Sequence, residues 1–197
     1  MILSDLILNT YAITKRPDKV AETLGALQNA LLKMHTRDFY SKDIVESGVA
    51  FDASATLQSL LYKSLFPLWR AVSYVQPVSL TAGVYTPSGT TLKQVNPQFT
   101  YDDYEIAKDN VYYEAGQVLQ LRTYPAFQYY IIGFYQFPDI VGMQSWITQD
   151  YPFSVIYDAA ATIFKSVGFL EQEASMRALV NEQVSLVQMS NVQATGY

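Results

Sequence analysis

Val111-Tyr112-Tyr113-Glu114-Ala115-Gly116-Gln117-Val118-Leu119-Gln120-Leu121-Arg122 reads as two short strands folded about a tight turn. Val111–Glu114 is aromatic and β-prone, Gln117–Arg122 alternates apolar with polar residues, and Ala115-Gly116 supplies the reversal. The same texture extends outward from about residue 39 to 137. Strands are expected at Phe39–Glu46, Thr56–Tyr62, Trp69–Gln76 and Gln128–Tyr135, broken by Gly, Pro, Asn and Asp. Leu80–Gln98 contains two strong turn signals, Thr86-Pro87-Ser88-Gly89 and Asn96-Pro97, and is expected to be a protruding loop or hairpin with an exposed tip.

On both sides of this zone the apolar period lengthens. Ser4 is the expected N-cap of a first helix carrying Leu6, Ile7 and Tyr11. Pro17 is placed in the first turn of a second, with Asp18 beside it at the positive dipole end. Val20, Leu24, Leu27, Leu31 and Met34 then form one helical stripe. A short connection makes an antiparallel pair the simple geometry. After the β zone, Pro152 opens a helix whose face holds Ile156, Ala159, Ala160, Ile163, Phe164 and Val167. Gly168 follows as a residue able to take positive φ. Glu171–Val187 is the last expected helix, with Ala174, Leu179, Val180, Val184 and Val187 apolar.

The expected architecture is therefore α+β: N- and C-terminal helices forming a small helical bundle, with a projecting antiparallel β insertion. One domain spans 1–187, helical over 1–38 and 145–187, with the insertion at 39–137. Residues 188–197 show neither periodicity nor charge and are expected to be a flexible C-terminal arm.

Half of the 197 residues are hydrophobic and only 16% are charged, which excludes a disordered chain. The formal net charge is −5, and Lys and Arg are scattered rather than interleaved with aromatics, which argues against a nucleic-acid platform. With no cysteine, a disulfide framework and a thiolate metal site are excluded. The N-terminus does not read as a signal peptide, and no apolar run approaches the ~18–20 residues needed to cross a bilayer.

Catalytic signatures are sparse. His35 is the single histidine and lies beside the apolar stripe, where such a residue is more often capped or half-buried than catalytic. A zinc site would have to be mostly carboxylate, and no glycine-rich phosphate loop occurs. A Ser–His–Asp arrangement lacks a Gly-x-Ser-x-Gly elbow. Asp102, Asp103 and Glu105 cluster among tyrosines, but a solvated turn explains them better than a glycosidase pair. The expectation is no enzyme, no cofactor and no metal.

Tyrosine is the more informative residue. Of sixteen, eight fall between 101 and 135. Adjacent rings in a strand point to opposite faces, so Tyr112, Tyr113, Tyr129 and Tyr130 are expected to leave rings outside the core and to form a subunit interface.

Several segments carry a resemblance. Lys15-Arg16-Pro17-Asp18-Lys19-Val20, running through Lys33-Met34-His35 to Asp38-Phe39-Tyr40-Ser41-Lys42-Asp43, resembles the opening of head-to-tail adaptor proteins of tailed bacteriophages. Leu65-Phe66-Pro67-Leu68-Trp69-Arg70 is similar to that family's strand entry. Ser145-Trp146-Ile147, Tyr151-Pro152, Ile156–Ala161, Phe164-Lys165, Gly168 and Glu171–Ala174 look like its C-terminal helical half. The resemblance implies a structural virion protein of the head–tail neck, assembled in the host cytoplasm. It implies a homo-oligomeric ring of roughly twelve copies docked on the portal. That ring would extend the DNA channel without sequence-specific or membrane binding and present a surface to tail and nozzle proteins. Gln188, Val192 and Tyr197 would anchor the arm on the portal. A tail terminator or stopper is the nearest alternative. A carbohydrate-binding or cell-wall-hydrolysing module relying on Asp102 and Tyr113 is a more distant one.

Overall fold

The computed structural model describes residues 1–55, 57–97 and 109–195, with side chains as far as residue 192. The chain is α+β and divides into two compact units, Met1–Asp43 with Phe137–Tyr197 and Ile44–Gln136.

The first unit is helical. It contains α1 (Leu3–Thr14), α2 (Val20–Thr36), a 3₁₀ turn (Ser41–Asp43), α4 (Trp146–Asp150), α5 (Pro152–Ser166) and α6 (Leu170–Thr195). A one-turn helix, α3 (Tyr62–Leu65), belongs to the other unit. Helix α5 is the centre of the bundle: α1, α2, α4 and α6 all pack on it. Its sequence permits this because Ala159, Ala160 and Ala161 are fully buried and let neighbouring backbones approach, while Val155, Ile156 and Ile163 fill the space between. Pro152 starts α5 and Gly168 ends it at φ 80°, both as expected. The N–H groups of Gly168 and Phe169 close back on Lys165 and Phe164.

Four helical expectations need correction. Ile2, not Ser4, is the N-cap of α1, and it gives no side-chain bond. Pro17 lies in the turn before α2 rather than in its first turn, and Val20 is 59% exposed. Leu27, Leu31 and Met34 of the predicted stripe are buried, as expected, but Val20 and Leu24 are not; Thr23, Ala26, Ala30 and His35 complete the buried face. Residues 188–195 continue α6 as helix, where a flexible arm was expected. Val187 is buried, and the Asn191 side chain accepts hydrogen bonds from the Ser41 N–H and hydroxyl, so the helix end is tied down.

The described residues of the second unit form two four-stranded sheets. The first runs β1 (Ile44–Ala50), β8 (Tyr129–Gln136), β3 (Trp69–Thr81), β4 (Val84–Pro87), all antiparallel. The second runs β2 (Leu57–Leu61), β7 (Val118–Arg122), β6 (Val111–Ala115), β5 (Lys93–Gln94), with β5 parallel to β6. The hairpin of the opening stretch forms with Gly116 at φ 63°, one residue beyond the expected centre of the turn. Leu60, Trp69, Val75, Tyr112, Leu119, Leu121, Tyr130, Ile132 and Phe134 join the inner faces of both sheets in one core. Trp69 stacks on Phe134 and Tyr62, with centroids 4.4 and 4.5 Å away. The first sheet curls until the hydroxyl of Tyr85, on edge strand β4, meets Gly48 on edge strand β1.

The strand expected at Phe39–Glu46 begins instead at Ile44, because Ser41–Asp43 is a 3₁₀ turn that turns Asp43 inward. Within Leu80–Gln98 the reversal is Ala82-Gly83, both at positive φ, rather than either proline-containing signal. The tip is exposed, as expected.

Candidate functional site

Helix α2 ends by burying His35 between two segments distant in sequence. Asp43, from the 3₁₀ turn, lies 3.0 Å from His35 Nδ1, and Ser145 Oγ lies 2.6 Å from Nε2. The indole of Trp146 donates to the other Asp43 oxygen at 2.7 Å. A carboxylate can only accept, so Nδ1 donates to Asp43, and Nε2 pairs with the Ser145 hydroxyl. This is the connectivity of a Ser–His–Asp triad, which the sequence argument set aside for want of an elbow motif.

The bonding around Ser145 defines what the cluster does. Its Oγ also accepts from the Ile147 N–H at 3.0 Å, and its own N–H donates to Thr148 Oγ1 at 3.1 Å, a capping box that starts α4. The Ser145 oxygen is thus committed on two sides, and His35 is 2% exposed. The cluster works as a lock joining the end of α2, the 3₁₀ turn and the start of α4. Tyr40 packs edge-on to Trp146, and Lys42 lies over its ring, 5.0 Å from the centroid, while pairing with Asp150.

A second polar junction lies on α5. Asp158 is buried and accepts from Lys33 of α2 at 3.1 Å and from Arg177 of α6. One carboxylate so ties the two helices that flank α5. Both cations keep a third or more of their side-chain surface in water, which reduces the desolvation cost of the pair. Among the described residues no group of three or more His, Cys, Asp and Glu is placed to hold a metal ion, and no helix is long and apolar enough to cross a membrane.

The proposed interface tyrosines do not come together as an open surface. Tyr112, Tyr113 and Tyr130 are buried within the chain, correcting the expectation that they face a neighbour. Strand β6 is covered on both faces, and the Tyr130 hydroxyl is bonded to Gln58 and Thr123 inside the core. Tyr129 is half-buried beside Tyr85. Of the arm residues, Gln188 and Val192 lie exposed on α6. Tyr197 and the acidic cluster Asp102, Asp103 and Glu105 lie outside the described residues.

What the chain does leave open is apolar. Leu186, Met189 and Val192 are 45–61% exposed at three-residue steps along the end of α6. No charged residue occurs from Gln183 onward. In the β unit, every residue from 79 to 91 is exposed, including Leu80, Val84 and Tyr85. Sequence reasoning missed the α6 surface because it treated this segment as coil. The missing signal was the three-residue recurrence of Leu186, Met189 and Val192.

No protein-family model matches the chain, and no curated protein matches its sequence.

Proposed function

We propose that this chain is a structural virion protein of a tailed phage, a subunit of the head-to-tail adaptor ring that docks on the portal. In this reading the β unit projects from the helical bundle, and the ring extends the DNA channel and offers its far side to tail proteins. It is not an enzyme. The order of the segments around Arg16-Pro17-Asp18, Phe66-Pro67 and Tyr151-Pro152 motivates the family.

The observation that carries the reading is the end of α6. A charge-free helix end with Leu186, Met189 and Val192 in solvent is an unusual surface for a solitary molecule, and it suits a helix laid into an apolar groove. The portal contact is therefore assigned to a preformed helix rather than to an arm that folds on binding, which lowers the ordering cost of docking. Cosedimentation with purified portal tests this. The wild-type chain is expected to bind, and the Met189→Glu/Val192→Glu variant is expected to bind at least about tenfold more weakly. Binding to tail-tube protein instead of portal transfers the chain to the terminator or stopper class.

A further inference from the structure

Among the described residues, the two sheets of the β unit have four edge strands: β1 and β4 in one, β2 and β5 in the other. An edge presents unpaired backbone N–H and C=O groups, and native proteins commonly guard it with charge. Two of these edges are guarded in that way. Strand β1 carries Glu46 in its centre, and the two-residue β5 begins with Lys93.

The other two are unguarded. Strand β2 lies in the charge-free stretch Ala53–Tyr62 and turns Leu57, Ser59 and Leu61 to solvent, with Leu65 and Leu68 exposed just beyond it. Strand β4 lies in a longer charge-free stretch, Ala71–Leu92, and all four of its residues are exposed. Its single proline, Pro87, stands at the strand's end, leaving Val84–Thr86 able to pair. Nothing charged would be buried if these two edges met.

A ring made of one kind of subunit needs two different complementary surfaces on each copy. We infer that the β4 edge of one copy adds to the β2 edge of the next, making an intermolecular strand pair at each ring contact. The occupant of the β2 edge is thus a second copy of this chain. This inference rests on the ring reading above, supplies its subunit contact, and replaces the buried tyrosines in that role. Backbone pairing provides the affinity, and the exposed Leu57 and Leu61 meeting Val84 provide apolar cover.

The chain has no cysteine, so introduced pairs report without background. One cysteine at Leu57, Ser59 or Leu61 combined with one at Val84 or Thr86 covers the possible registers. At least one of these double variants is expected to give, on oxidation, a ladder of disulfide-linked species beyond the dimer. Val45→Cys with Ser59→Cys, on the edge that keeps Glu46, is expected to give none. Ser59→Lys, on an exposed position, is expected to weaken self-association by roughly tenfold or more while leaving the circular dichroism spectrum unchanged. If rings form but no double variant gives a ladder and Ser59→Lys assembles normally, the edge pairing is wrong and the ring reading stands. If light scattering finds only monomer at all concentrations, with and without portal, both fall.

Discussion

The ring of Tyr74 lies across the backbone of Gly133, its paired residue on the neighbouring strand, and its hydroxyl reaches Glu46 one strand further on. Only glycine at the middle position leaves space for the ring. Three adjacent strands are thereby tied on one face by a single side chain, on the sheet whose far edge is β4.

Gly133→Ala is expected to destabilise the protein by about 1–3 kcal/mol, because the new methyl group collides with the middle of a ring pinned at its far end. Gly48→Ala meets only the tip of Tyr85, which can swing away, and is expected to cost less than about 1 kcal/mol. Urea unfolding of the two variants compares them. Equal costs would mean that Tyr74 is not held in place.

Burial, and then the hydrogen bond and charge of Glu46, push the Tyr74 hydroxyl up to about 12. The folded value is raised, so the linked stability is present below the unfolded tyrosine value near 10 and is lost as pH climbs toward 12. Burial raises Tyr62, Tyr112 and Tyr130 as well, so absorbance titration is expected to lose one of several late-ionising phenols in Tyr74→Phe and to shift that one earlier in Glu46→Gln. A late transition undiminished in Tyr74→Phe belongs to the other rings.

Removing His35 strands Asp43 and Ser145 together, so His35→Leu is expected to destabilise by about 3 kcal/mol. Ser145→Ala loses a helix cap and one acceptor's partner, worth about 1–2 kcal/mol. Since the Ser145 oxygen is engaged in capping the Ile147 N–H and His35 is buried, a fluorophosphonate probe is expected to leave it unlabelled. Stoichiometric labelling of Ser145 would make the cluster a catalytic centre and overturn the structural reading.

Asp158→Ala removes the acceptor that Lys33 and Arg177 share, while both cations can turn to water, and is expected to cost about 1–3 kcal/mol. Lys33→Ala removes a half-exposed partner while Arg177 remains, and is expected to cost less than about 1 kcal/mol. Thermal unfolding ranks the two.

Features set by a residue's own backbone preference were legible in the sequence. Pro152 starts a helix, Gly168 ends one, and the hairpin turns at Gly116, because each depends on a residue and its neighbours. Features set by what packs where were not. The stripe through Val20 and Leu24 is a legitimate helical face, yet α5 selects the adjacent face lined by Ala26 and Ala30. Tyr112 and Tyr113 point to opposite sides of β6, as their adjacency requires, but both sides are covered, so alternation did not reveal exposure. The His35 lock joins positions 110 residues apart, beyond the reach of any local pattern, although Ser145 and Thr148 carry the spacing of a capping box. The helical end of α6 was hidden because uncharged Gln, Ser and Asn around Val187 and Val192 look like coil until Asn191 finds Ser41.

The decisive measurement is negative-stain electron microscopy of the purified chain mixed with portal protein. The account predicts closed rings of roughly twelve subunits seated coaxially on the portal, lost in the Met189→Glu/Val192→Glu variant. A dispersed, monomeric chain and bare portals in the same fields would contradict it.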